Sequence, residues 1–456
     1  MITPFALGVV ALAMIAGAFA VEAAARRGGR PRSVGLAAGA IAGLAGPLAV
    51  MVPLDWCTFG PQSPTTDFWF GIALIAGATF VAIRLAITAI DPEAKRRRRE
   101  LGDDVTHGVF GGYPLAPWLL LAPTLAVLVV FLYWPAVRTV QLSTQLVRLG
   151  APRGVDRCVR NFTELIGPSR PGLTLLTLLA TVTLFFAASW VSRAGTPAAE
   201  RWAGWLNTAG VAATLTFIGL LWTASYQKVY VVTMIISFGT VIGGLVLSLA
   251  IAYLAYQPVR GAGIYRTLLV WPYAISPPIA GLIFFVMFDP TSGVVEYWLD
   301  AIFGFALPNY RQNAGLAQIV VILASIWKTL GYNLLFYIAG LQTVPRDQVE
   351  AATLDGAGGF QRFRYVVLPA LSPITFFLIV TNLTYAFFET YGTIDYLTAG
   401  GPSGATSTAM YQIIQVAIPG RDLGRGAAQS LILFAGVVAL TAWQFRSTGR
   451  RVSYGS

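Results

Sequence analysis

Lys328 stands near the middle of a long apolar stretch, with Tyr332 and Asn333 one turn further on. In the next such stretch Asn382, Tyr385 and Glu389 recur at i, i+3 and i+7, a shared helical face. A cation and a carboxylate held among apolar residues can contact a polar solute, relay protons, or neutralise each other. Lys328 suits a phosphate, whereas a Lys328–Glu389 pair would fix two helices and need no other role. Other chemistry is thin. The chain has no Gly-x-x-x-x-Gly-Lys-Ser/Thr run, so it lacks the usual cradle for the phosphates of ATP. With one histidine, His107, and two cysteines, it offers neither a soft-metal cluster nor a Cys/His nucleophile pair. No catalytic residue, metal site or bound cofactor is expected, and His107 reads as a solvated loop residue.

A second segment is charged and punctuated by glycine, from Glu350 to Pro369, between two apolar stretches. Pro345, Arg346 and Asp347 open a short helix that sets Val349, Ala352 and Thr353 on one side. Small side chains at Ala351 and Ala352 would let that helix sit deep in a groove. Gly356, Gly358 and Gly359 permit a sharp reversal after it. Asp355, Arg362 and Arg364 offer polar contacts at the rim.

Both segments need elements to hold them, and the composition says which kind. The chain is 56% apolar and 11% charged, with a mean hydropathy of +0.67, too little polar surface to coat a water-soluble globule. The fold class is all-α and polytopic, because the apolar runs are long enough to cross roughly 30 Å of hydrocarbon as helices. Eleven spans are expected, near 4–25, 34–54, 68–90, 117–137, 173–192, 205–224, 229–255, 266–288, 315–341, 366–389 and 427–445. The net charge of +11 does not point to nucleic acid, since much of it flanks apolar runs, where positive charge marks the cytoplasmic side. Lys95 to Arg99 and the group Arg26, Arg27, Arg30 and Arg32 both fall there if the N-terminus is outside and Arg446, Arg450 and Arg451 are inside. The segment around Glu350 is then cytoplasmic. Residues 138–172 object, carrying six arginines on the outer side. The first run lacks basic residues before it, so it reads as a retained helix rather than a cleaved leader. Cys57 and Cys158 both fall outside and either form a disulfide or stand as unrelated thiols.

Glu350, Ala351 and Ala352, then Gly356, then Val366, Leu368 and Pro369 keep the spacing of the Glu-Ala-Ala loop of binding-protein-dependent ABC importer permeases. The chain resembles that family from about Pro117 to Ser456. Trp118–Pro135 is similar to its first helix and Asn161-Phe162 to the signature after it. Arg260–Arg266 with Trp271–Pro277, Ser325–Lys328, Asn333–Phe336, Asn382–Thr390 and Thr398–Pro402 resemble the sugar and glycerol-3-phosphate branch, most of all its first-permease type.

The resemblance implies a six-helix permease core at 117–456 with a coupling loop at 345–369. Glu350, Ala351, Ala352, Asp355, Gly356, Arg362, Leu368 and Pro369 would meet a separate ATPase, which would bind ATP and Mg. It implies a second homologous permease, two ATPase subunits, an extracytoplasmic solute-binding protein resting near Gly400–Pro402, and membrane lipid around the whole. Lys328, Tyr332, Asn333, Asn382, Tyr385 and Glu389 remain the pathway candidates. Five helices are additions: three at 1–91, joined by a basic linker at 92–116, and an inserted pair at 173–224. They carry no cluster of ionisable residues, so packing is their expected role, with recruitment of a partner as the alternative. Two rival readings stand beside this one, a single-chain proton-coupled transporter and a non-transporting membrane scaffold.

Overall fold

The computed structural model describes residues 4–27, 32–51, 65–90, 116–150, 154–168, 170–193, 196–256, 262–304 and 308–448. Cys57, the basic run Lys95–Arg99, His107, Arg30, Arg450 and Arg451 lie outside the described residues. The chain divides into two compact units, residues 1–163 with 420–431, and residues 164–419 with 432–456.

The first unit opens with α1 (Pro4–Arg27), α2 (Arg32–Met51) and α3 (Thr65–Ile90). Gly35, Gly39 and Gly43 recur every fourth residue on α2 and bring it against the backbone of α1. A Cβ at Gly39 would stand 2.3 Å from the Gly17 carbonyl oxygen, and one at Gly43 would stand 2.2 Å from that of Ala13. Close approach through such a stripe is how helices associate in lipid, where hydrophobicity gives them no reason to leave the bilayer for each other. Arg26 and Arg32, expected on sequence grounds to mark a flank, have a local partner. Their Nε atoms donate to Glu22 Oε1 at 2.8 and 2.5 Å, neutralising a carboxylate otherwise buried at the helix end.

Next, α4 (Ala116–Leu128) passes through a π-helical turn, Val129–Tyr133, into α5 (Trp134–Ser143). Two short strands follow, β1 (Gln145–Leu146) and β2 (Val155–Asp156), paired antiparallel, and then α6 (Arg160–Thr163). The Asn161 side chain is fully buried and its Nδ2 donates to the carbonyls of Ser143 (2.9 Å) and Gln145 (3.1 Å). The asparagine of the Asn-Phe pair thus fastens the loop to the end of α5.

In the second unit, α7 (Pro171–Ser192) and α8 (Pro197–Leu220) are the two helices expected to be an inserted pair. The body comprises α9 (Ala224–Tyr256), α10 (Ala262–Ala274), α11 (Pro277–Met287), α12 (Val294–Phe303) and α13 (Ala314–Gln342). It continues with α14 (Arg346–Leu354), α15 (Gly359–Arg362), a π-helical turn Phe363–Val367, α16 (Leu368–Ala370), α17 (Ser372–Phe388), α18 (Thr390–Leu397) and α19 (Ala409–Ala417), and with the part of α20 (Leu423–Thr448) from Ile432 on, the start of that helix belonging to the first unit. Its core gathers Ile236 of α9, Phe284 of α11, Val321 and Ala324 of α13, and Ile394 of α18. Small residues again set the spacing, with Gly281 against the Thr393 backbone and Gly331 against that of Val270.

Two expected spans are not straight. The helices over 263–274 and 277–287 meet at 105°, and those over 359–370 and 372–388 meet at 67°. At the first bend Pro277 holds Ser276 in extended geometry (ψ 150°), and at the second Pro373 stands in the first turn of the new helix, after the turn at Leu371. Seven described helices are long and apolar enough to cross a membrane, or nine with each bent pair taken as one span. The two remaining candidates, Arg32–Leu48 and Gly71–Ile87, are apolar but shorter. Among the described residues the expected count of eleven is thus not confirmed by length and composition.

Candidate functional site: a helical hairpin and a polar seam

Helix α14 starts after Pro345, whose fixed φ of −63° suits a helix entrance. It ends in a Schellman turn. Gly356 N–H donates to Thr353 O (3.1 Å) and Ala357 N–H to Ala352 O (2.9 Å), with Gly356 at φ +80°. The reversal expected of three glycines belongs to Gly356, where any Cβ would be strained. Gly358, at φ −68°, instead opens α15, and its N–H is met by Gln361 Oε1 at 2.8 Å.

Across the turn, Arg362 Nη1 donates to Thr353 Oγ1 at 2.6 Å, and Thr353 Oγ1 donates on to Val349 O at 2.7 Å. The two arms are thereby tied. Phe363 packs edge-on against Tyr253 of α9 (4.9 Å between rings), and Val367 is buried, so the return arm is seated on the body. Val349 and Ala352 are half-buried, while Glu350, Ala351 and Asp355 are exposed. Leu368 and Pro369 enter the bend that leads into α17 and are also exposed. The sequence reading missed two residues at the tip: Leu354 is 89% exposed and Phe360 is 73% exposed. Their signal was present, since large apolar side chains in a polar loop are costly to leave in water.

The polar seam lies between α13 and its neighbours. Lys328 is only 6% exposed, and its Nζ donates to the carbonyl oxygen of Tyr273 at 2.8 Å while lying 4.8 Å from that ring's centre. No ion pair joins Lys328 to Glu389 among the described residues, so the pairing alternative is not what holds these helices. The Tyr332 ring leans on Tyr273 (5.2 Å) and Phe336 (4.9 Å). Asn333 and Asn382 exchange reciprocal amide hydrogen bonds, 3.1 and 2.6 Å, and Asn382 also donates to Leu378 O at 2.8 Å. Both are buried, so their amides tie α13 to α17. Tyr385 is half-buried and its hydroxyl has no partner among the described residues; Glu389, one turn on, is exposed.

The stretch from Thr398 to Thr408 is cross-braced. Thr398 and Thr406 hydroxyls meet at 2.7 Å, Thr406 donates to Gly401 O at 2.9 Å, Gln318 to Ala405 O at 2.8 Å, and Lys228 to Ser403 O. Gly400 takes φ +77° with the Tyr411 ring against it, a place no side chain could share.

The family of binding-protein-dependent transport system inner membrane components matches residues 244–452, which contain the hairpin, the seam and the braced loop. A Yersinia enterocolitica protein, the sn-glycerol-3-phosphate transport system permease protein UgpA, is 36% identical over 338 residues, 74% of this chain and 95% of the relative. The chain belongs to that permease family. It is an inner-membrane, multi-pass permease subunit of an ABC importer that works with a solute-binding protein. The permease is also 43% identical over 239 residues to the Rhizobium meliloti UgpA, covering 52% of this chain and 81% of that one. Its fold matches a bacterial ABC transporter involved in the import of the acidic polysaccharide alginate (TM-score 0.53, 17% identity, 74% of this chain and 96% of that one). The alginate transporter bound to a periplasmic protein carrying an alginate pentasaccharide matches similarly (TM-score 0.52, 16% identity, 74% and 96%).

Proposed function

We propose that this permease imports glycerol-3-phosphate, a related phosphodiester or a sugar, in a complex with a second homologous permease and two copies of a separate ATPase. The observation that carries the reading is the hairpin of α14 and α15: a capped, internally tied lever whose Leu354 and Phe360 stand in solvent. A cleft on an ATPase would bury them. ATP and Mg belong to that subunit, and closure of the ATPases would push the hairpin and, through Phe363 and α17, rock the helices that hold the seam. The hairpin then lies in the cytoplasm, the N-terminus outside and the C-terminus inside. Cys57 and Cys158 share the outer side, where we read them as a disulfide; non-reducing peptide mapping that recovers both thiols free would end that reading.

A second permease is supported by α4 and α5. Every described side chain from Leu120 to Arg138 is exposed, an apolar helix surface that asks for lipid or for another subunit's helices. The braced loop at 398–408 offers a stiff outer surface for the binding protein. A phosphorylated solute is supported by the names of the relatives and by Lys328, a buried cation that uses one of its three donors on Tyr273. Tyr385 and Glu389 complete the proposed solute wall beside Lys328 and Tyr332, while Asn333 and Asn382 hold its helices in place.

The test is reconstitution of the full complex with its binding protein in liposomes, comparing uptake of glycerol-3-phosphate, a glycerophosphodiester and a disaccharide. ATP-dependent uptake of a phosphorylated solute is expected, reduced at least about tenfold by Lys328→Met without loss of assembly, the scale of one charge-assisted contact. Uptake by the isolated chain, driven by a proton gradient without ATP, would contradict the proposal.

A further inference from the structure

A cavity of about 400 Å³ separates the inserted pair from the body of the second unit. Its walls are hydrocarbon: Phe185 of α7, Val211 and Ile218 of α8, Met234 of α9, and Leu433 and Leu440 of α20. Three of the polar groups along it are spent locally. Thr214 Oγ1 donates to Gly210 O (2.8 Å), Tyr230 OH to Leu215 O (3.1 Å) and Thr233 Oγ1 to Val229 O (2.6 Å). Water needs two or more polar partners to stay in such a space, and an unfilled one forfeits dispersion contacts along its whole lining.

The shape of the lining identifies what fills it. It runs from Val211 to Trp222 along α8 and the turn after it, and from Ile432 to Trp443 along α20, all on elements that cross the membrane. At about 1.5 Å per residue each run is roughly 16 Å long, close to half of a ~30 Å hydrocarbon core. The α8 run leads inward from its Trp222 end and the α20 run goes on to Trp443, two residues from the Phe445 that packs on Phe376, so the lining is long enough to take an extended acyl chain. Its Trp222 end lies at the start of α9, opposite the Tyr253 end on which the hairpin packs.

At that end sits a buried donor without a partner among the described residues. It is Nε1 of Trp222, which is 9% exposed. The ring is held by Tyr226 (5.1 Å) and Tyr230 (6.2 Å). Backbone bonds from Gly167 N–H to Leu221 O (2.9 Å) and from Thr223 N–H to Leu165 O (3.0 Å) fix the turn. An indole N–H at the boundary between hydrocarbon and headgroup meets the ester carbonyls of glycerolipids.

We propose that this cavity holds one acyl chain of a phospholipid from the leaflet remote from the hairpin, with Trp222 Nε1 donating to an ester carbonyl. The lipid seats the inserted pair on the permease body. Gly436, on the α20 wall, has nothing within 4 Å of where its Cβ would be, so a larger side chain there grows into the space without a backbone clash. Gly204 on α8 is equally open but does not line the cavity.

The test places the assembled importer in nanodiscs of phosphatidylethanolamine and phosphatidylglycerol doped with a phosphatidylethanolamine bearing a diazirine in its acyl chain. Adducts are expected in the peptides covering 211–222 and 432–443. Gly436→Leu should lower them about tenfold, equivalent to ~1.4 kcal/mol, and Gly204→Leu should leave them unchanged. Ala439→Phe, on the same wall, is the second filling variant should Gly436→Leu fail to assemble. Labelling that both filling variants leave intact would be annular lipid and would overturn the site. So would Gly436→Cys cross-linking to a peptide of another subunit.

Discussion

Arg362 and Thr353, nine residues apart, are joined by a 2.6 Å hydrogen bond that spans the turn between the two short helices of the hairpin. The bond makes the hairpin a single body, able to carry a push from its tip to α17. Thr353→Val removes the acceptor and keeps the side-chain shape. We expect it to weaken the tie by about 1 kcal/mol and to lower binding-protein-stimulated ATP hydrolysis several-fold while the subunits still co-purify. Unchanged stimulation would show that the tie transmits nothing.

The tip should behave differently from the tie. Leu354→Ser and Phe360→Ser remove exposed apolar surface, so neither should lower the melting temperature of the isolated permease. Burying each side chain in a partner is worth about 1.5–3 kcal/mol, and the loss should appear as roughly tenfold or greater weakening of ATPase association, measured by titration in detergent. A fall in permease stability with association intact would reverse these roles.

The reciprocal amides of Asn333 and Asn382 predict strong non-additivity. Either asparagine changed alone to leucine strands a buried partner and should cost about 1–3 kcal/mol. The double leucine variant should recover most of that loss, because no unsatisfied amide remains. Thermal unfolding of the four proteins measures the cycle. Additive losses would mean that each amide serves another group.

Outside the membrane, Asp289 accepts from the Thr291 hydroxyl (2.7 Å) and N–H (2.9 Å), and from Arg311 Nη2 (2.7 Å). These interactions, the Thr291 hydroxyl foremost, hold its carboxyl well below the ordinary 3.8. A depressed folded value means that the group's contribution is fully present above the ordinary value and is lost as pH falls through the folded one. Hydrogen exchange over 289–313 should therefore be flat from pH 8 to 5 once corrected for intrinsic rate. Asp289→Asn should raise it throughout that window. A transition between pH 6 and 5 in the native chain would contradict the assignment.

What the sequence showed and what it hid divide along physical lines. Apolar runs, the start of α14 after Pro345 and the family spacing around Glu350 are local, and each falls where expected. Hydropathy carries no direction, so 266–288 and 366–389 read as single spans although Ser276-Pro277 and Ser372-Pro373 signalled a break. The partner of Asn333 lies 49 residues away and that of Lys328 lies 55 away, distances over which pattern gives no register. Lys328 had been set against Glu389 by charge, but a carbonyl oxygen was nearer. Leu354 and Phe360 went unremarked because the charged residues around them defined the loop as polar.

The most direct measurement is Leu354→Cys in a permease whose Cys57 and Cys158 are both replaced by serine, co-expressed with its ATPase and treated with a short bifunctional thiol cross-linker. The account predicts a covalent permease–ATPase adduct, protection of the cysteine from a membrane-impermeant maleimide in intact cells, and loss of the adduct when Gly356 is also made Asp. Labelling of that cysteine from outside intact cells, or an assembled complex that yields no adduct, would contradict it.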